Sequence, residues 1–214
     1  SPIYCPKQYK LTFCASETNN RRFVPPGFRP RILFIVEAAT LAHVVRSHLI
    51  AQALPSHSYE VFFACDRYFD TAIDSATYSR LLIDSRSPET LQQVLSKGGC
   101  IFDYQLLSRY VKEELALLEK MKPDIIFGDF RPSLSVSAAV AGIPFCNITN
   151  AYWSPYASDR KLPFPCLDIP EKLGLKGIFA RTLIGGLNSI YGALLPLTLK
   201  YQGAGLNKLR EEYH

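Results

Sequence analysis

Apolar runs of strand length alternate with amphipathic stretches of helix length through most of this chain. Arg31–Val36 is an almost unbroken apolar run, Glu37-Ala-Ala-Thr40 follows it, and the spacing predicts a helix from about Leu41 to Leu54 with Val44, Val45, Leu49 and Leu54 as its apolar stripe. Tyr59–Cys65 is again strand-like, so a strand, a helix and a strand fall within about 35 residues, the size of a βαβ unit. A crossover of that length joins parallel strands. Arg80–Ile83 predicts a third short strand, and Pro88 stands where the first turn of a helix tolerates it, with that helix running to about Lys97. Leu106, Leu107, Tyr110, Val111, Leu115 and Leu118 recur at helical spacing, with Lys112, Glu113, Glu114 and Glu119 between them, so an amphipathic helix ends near Met121. Pro123–Asp129, Pro132–Ala141 and Ile143–Ile148 then read as strand, helix and strand. The fold class that follows is α/β, a Rossmann-like doubly wound parallel sheet.

Three segments break this alternation. Residues 1–30 hold five prolines, Asn19-Asn20 and Arg21-Arg22 without periodicity, and Pro25-Pro26-Gly27 marks a boundary. They read as a basic, proline-rich arm before a folded domain of residues 31–214. The stretch 150–170 is rich in proline and aromatic side chains, among them Tyr152, Trp153, Tyr156 and Phe164, and two readings stand: it lines a ligand cleft, or it covers an edge of the sheet. Thr182–Leu199 carries no formal charge over 18 residues, the lower edge of membrane-spanning length. Gly185-Gly186, Asn188, Ser189 and Pro196 dilute it, so the expectation is helical segments packed on the sheet or lining a groove, with peripheral membrane contact as the lesser alternative. The sequence closes on the charged, helix-like Arg210–His214 and reads as the edge of a longer protein.

Composition narrows the function classes. With 48% hydrophobic residues and 20% charged, the chain has the means to build a core. A net charge of +5 invites a nucleic-acid reading, but five of the 24 basic and one of the 19 acidic side chains lie in the first 30 residues, which leaves 19 against 18 in the remaining 184. The 12 tyrosines and 13 phenylalanines follow strand and helix periods and do not interleave with basic groups, so no nucleic-acid partner is expected. Six cysteines without a CxxC pair predict neither zinc nor disulfides, and Cys65 and Cys146, both in apolar runs, are expected as buried thiols. No signal-type apolar core opens the chain, and a cytoplasmic location follows as the expectation.

His43 is the leading candidate for chemistry. It stands at the start of the helix after the first strand, and ligands of open α/β sheets collect at the carboxyl ends of strands. An imidazole suits proton abstraction near neutrality if a carboxylate orients it; a histidine of the core or surface is the competing reading. Asp129 closes the fourth strand and can emerge on the same edge, as a partner of His43 or as a cap of the next helix. Glu37, directly after the first strand, is a candidate for polar ligand groups or a capping position. His48, five residues beyond His43, is turned about 140° around the helix and faces elsewhere. No HExxH, GxSxG, P-loop or GxGxxG pattern occurs.

Arg31-Ile-Leu-Phe-Ile-Val-Glu-Ala-Ala-Thr-Leu-Ala-His43-Val-Val-Arg46 resembles the opening of two-Rossmann-domain (GT-B) nucleotide-sugar glycosyltransferases, especially the UDP-glycosyltransferase and antibiotic-glycosylating group. Lys122-Pro-Asp-Ile-Ile-Phe-Gly-Asp129 and Ala138-Ala-Val-Ala-Gly-Ile-Pro-Phe145 resemble later parts of the same N-terminal domain, in the same order. The resemblance implies His43 as general base on an acceptor hydroxyl and Asp129 as the residue that holds it. It implies acceptor contacts from Glu37, Thr40, Phe130, Arg131, Asn150, Tyr152 and Trp153, and no metal. It also implies a nucleoside-diphosphate sugar as co-substrate, with no tightly bound cofactor, a small aromatic or apolar acceptor, and a donor-binding domain lying outside this sequence. Two positions depart from the pattern: Ala42 replaces the usual glycine before the histidine, and Arg46 the common proline three residues after it. The rival from another class is a non-catalytic accessory or membrane-recruiting subunit of a split glycosyltransferase.

Overall fold

The computed structural model describes residues 27–73, 77–150, 174 and 177–213. Five parallel strands, β1 (Arg31–Val36), β2 (Glu60–Ala64), β3 (Ser79–Leu81), β4 (Ile125–Asp129) and β5 (Phe145–Ile148), form one sheet in the order β3-β2-β1-β4-β5. The helices are α1 (Leu41–Ala53), α2 (Pro88–Ser96), α3 (Tyr104–Met121), α4 (Leu134–Ala141) and α5 (Gly177–Tyr213). A short 3-10 segment, Arg67–Ala72, follows β2. This is the Rossmann-like, doubly wound arrangement that the apolar runs predict.

Period-two alternation explains why both sheet faces are covered. Ile32, Phe34 and Val36 of β1 join Val61 and Phe63 of β2 beneath α1, whereas Leu33 and Ile35 join Phe62, Ile126, Leu118 and Leu134 beneath α3 and α4. Each such side chain, fully buried, stabilises the fold by about 1.5–3 kcal/mol. The helix ends carry their own signals: Ser87 accepts from the Thr90 amide ahead of α2, with Pro88 in its first turn, and Asp103 accepts from the Leu106 amide ahead of α3. In the register of β1 on β4, Val36 pairs with Asp129, so the next residue, Glu37, hydrogen-bonds through its amide to the Asp129 carbonyl at 3.0 Å. The chain leaves β1 and β4 toward different helices there, which opens a crevice.

Several expectations need correction. The buried face of α1 is Val44, Ser47, His48 and Ala51, while Leu49 is 58% exposed. The small and polar residues face inward because β1 and β2 already fill the space under the helix, and because His48 and Ser47 find partners in Tyr78 and Asp129. Cys65 is buried, and burial pushes its thiol up to about 12. Cys146 is exposed, because β5 is an edge strand. The uncharged stretch is helical, yet Ile184, Ile190, Leu194, Leu197 and Leu199 on it are exposed. The end of α5 packs: Leu209 is fully buried, Gln202 bonds the Ile101 amide and the Gly99 carbonyl, and Arg210 bonds Ser135. Among the described residues no helix is long and apolar enough to cross a membrane.

Candidate active site

The loop from β1 into α1 and the end of β4 supply the centre of the site. His43, on the first turn of α1, places Nδ1 2.9 Å from Asp129 Oδ1. An ionised carboxylate can only accept, so Nδ1 carries the proton and Nε2 keeps its lone pair. Asp129 is fully buried and accepts from three side chains of α1. Arg46 Nε and Ser47 Oγ reach Oδ2 at 2.8 and 3.1 Å, and Arg46 Nη2 reaches Oδ1, beside His43, at 2.6 Å. Burial by itself raises the Asp129 carboxyl, but hydrogen bonds and charge from His43 and Arg46 outweigh it and hold the group below its ordinary range. Asp129 is not the cap of α4, which begins after Ser133 without a side-chain cap.

Phe130 follows Asp129 with φ of +53°, a left-handed backbone that a bulky residue seldom adopts. Its ring lies flat on the His43 imidazole, with centroids 4.5 Å apart and planes 6° apart, and meets Phe102 edge-on at 5.1 Å. The next residue anchors the turn. Arg131 is buried, donating to Glu114 at 2.7 Å, to Glu37 at 3.0 Å and to the Asp84 carbonyl at 2.6 Å, and it stacks 3.5 Å over Tyr110. One arginine cannot neutralise two buried carboxylates, so burial raises both Glu37 and Glu114 despite it.

These groups border a cavity of about 500 Å³ at the carboxyl edge of the sheet. Thr40, His43, Arg46, Asp129, Phe130 and Asn150 line it together with apolar Leu91, Leu95, Ile101, Phe102 and Ile148. Thr40, Phe130 and Asn150, expected as acceptor contacts, therefore gather around His43. Glu37 lies elsewhere: its carboxylate is taken by Arg131, Tyr110 and the Arg86 amide, away from solvent. The Arg131 side chain is likewise turned inward at the edge of the cavity. Tyr152 and Trp153 fall outside the described residues. The sequence does not single out Ser47, the α2 side chains Leu91 and Leu95, or Ile101 and Phe102 in the loop ahead of α3. Arg46 had a signal, its place one helical turn beyond His43. Among the described residues, no group of three or more metal-ligating side chains occurs.

The fold and the crevice define a Rossmann-like ligand-binding domain with a histidine–aspartate pair at its switch point. No family model matches the chain. A relative from Mycobacterium bovis (strain BCG / Pasteur 1173P2) named as an inactive PGL/p-HBAD biosynthesis glycosyltransferase is 41% identical over 146 residues, 68% of this chain and 39% of that protein. A PGL/p-HBAD biosynthesis rhamnosyltransferase from the same strain is 44% identical over 137 residues, 64% of this chain and 30% of that protein. A crystal structure of a glycosyltransferase from Streptomyces sp. SF2575 is similar with a TM-score of 0.42 and 22% identity, covering 56% of this chain and 39% of that one. Over about two thirds of its length the chain is homologous to PGL/p-HBAD biosynthesis glycosyltransferases. What it matches spans well under half the length of these curated relatives.

Proposed function

We propose that the full-length protein transfers a sugar, with inversion, from a nucleoside-diphosphate donor to a hydroxyl of a small aromatic or apolar acceptor, and that this chain is the acceptor-binding half. The observation that carries the reading is the 2.9 Å contact of His43 with a buried Asp129 beside an apolar cavity. In the proposed step, His43 Nε2 takes the acceptor hydroxyl proton and the freed oxygen bonds to the anomeric carbon. The bond from that carbon to the diphosphate oxygen breaks, and its electron pair leaves with the nucleoside diphosphate. Asp129 steadies the imidazolium that forms. Thr40, Phe130 and Asn150 border the acceptor, and Tyr152 and Trp153 are proposed as further acceptor contacts. The donor is held mainly by a domain outside this chain, in keeping with the greater length of the relatives. The proposed location is cytoplasmic, with the exposed apolar side chains of α5 available for a membrane surface.

The test uses the full-length protein with nucleotide sugars and phenolic or aliphatic hydroxyl acceptors. His43→Ala is expected to lower kcat/KM by about 10²–10⁴-fold, and NMR of the wild-type product to show inversion at the anomeric carbon. Unchanged turnover, or retained configuration, overturns the reading. A second reading, a non-catalytic accessory or membrane-recruiting subunit, is supported by the exposed apolar residues of α5 and by homology to a relative whose name calls it inactive. Failure of a folded, full-length wild-type protein to turn over any nucleotide sugar selects it.

A further inference from the structure

Arg46 stands three residues beyond His43, on the same face of α1, where the glycosyltransferase resemblance leads one to expect proline. Its guanidinium engages both oxygens of Asp129, Nε to Oδ2 at 2.8 Å and Nη2 to Oδ1 at 2.6 Å, while Nη1 donates to Asn150 Oδ1 at 2.6 Å. A planar fork on a carboxylate fixes its plane as well as its charge. The charged or titratable groups bonded to Asp129 are His43 and Arg46, both from α1, with the Ser47 hydroxyl completing the set.

The same geometry places Nη2 3.3 Å from His43 Nδ1. Two N–H donors cannot share one hydrogen bond, so with Nδ1 protonated this contact is not one. Were the carboxylate turned away, Nη2 would donate to a bare Nδ1 and the imidazole proton would move to Nε2. That tautomer cannot accept a proton from a hydroxyl through Nε2. The fork therefore prevents the very arrangement that the nearness of Arg46 would otherwise favour.

We infer that Arg46 is the positioning residue of the His43–Asp129 pair: it holds Asp129 ionised and aligned, keeps the imidazole proton on Nδ1, and ties that alignment to Asn150 where β5 ends. This rests on the reading of His43 as base for its consequence, but the proton positions can be measured without it.

The experiment is NMR of the 214-residue chain with ¹⁵N-labelled histidine and ¹³C-labelled aspartate carboxyls, His43 and Asp129 being assigned by substitution. The wild type is expected to show a single Nδ1–H tautomer at His43. Arg46→Gln is expected to raise the Asp129 titration midpoint by about one pH unit or more and to give a mixture of His43 tautomers. Arg46→Lys, which keeps the charge without the fork, is expected to restore most of the Asp129 titration but not the single tautomer. Arg46→Gln spectra matching the wild type at both residues overturn the inference, as does full restoration of both signals by lysine. Loss of transfer in His43→Ala tests the base reading separately, so either can fail alone.

Discussion

Phe130 keeps its left-handed backbone because Arg131, the next residue, is held on three sides in the protein interior. A strained residue of this kind costs about 1–3 kcal/mol and persists only where its surroundings over-determine it. Arg131→Met is expected to destabilise the protein by about 3–5 kcal/mol, because it leaves Glu37 and Glu114 buried without their cation. The sign with pH follows from the carboxyls. Their folded values lie above the unfolded ones and rise further without Arg131, so the variant binds protons on folding and loses stability as pH climbs. Thermal melts should therefore show a larger loss at pH 8 than at pH 5; an equal loss would remove this account. The pairing of His43 with Asp129 was legible as a candidate, since both follow strands of one sheet edge. The inward turn of Glu37 and Arg131 was not, because a charged residue beside a strand end reads as a ligand contact until its interior partners, here from α3 and the loop after β3, are known.

At the level of elements, α5 seats on α3 through a glycine. A Cβ on Gly205 would lie 2.7 Å from the Tyr104 amide nitrogen and 3.0 Å from the Asp103 carbonyl carbon, both backbone atoms at the start of α3. Gly205→Ala is expected to cost about 1–3 kcal/mol, since the helix must move outward. Gly203, on the same helix with open space around it, supplies the control: Gly203→Ala should be neutral or stabilising by up to about 1 kcal/mol. Urea denaturation of the two variants checks the contrast, and equal effects would remove the close-seating explanation. Helix and strand identities were legible throughout the sheet because apolar periodicity survives in each segment. The stripe of α1 was misjudged for a physical reason: the helix rests on bulky strand residues, so Ser47 and His48, with partners waiting, occupy positions that hydrophobicity alone assigns to Leu49.

For the whole molecule, the strand order puts the β1 and β4 ends side by side and sends their helices apart, and the cavity follows from that arrangement. On the proposed function this is one wall of a two-domain active site. The 214-residue chain alone, given nucleotide sugar and acceptor, is expected to give no transfer by product mass spectrometry, because it orients a nucleophile without holding the activated sugar. Transfer by this chain that His43→Ala abolishes would overturn that expectation. The amino-acid sequence by itself determined the αβ alternation and the parallel sheet, since these rest on local periodicity and crossover length, and it narrowed the chemistry to one histidine and one aspartate. Only the tertiary structure decided that a pair 86 positions apart in sequence meets at 2.9 Å, that Arg46 forks onto the same carboxylate, and that Phe130 lies flat on the imidazole. Those facts depend on strand register and on side-chain partners far apart in the chain, which no local pattern encodes.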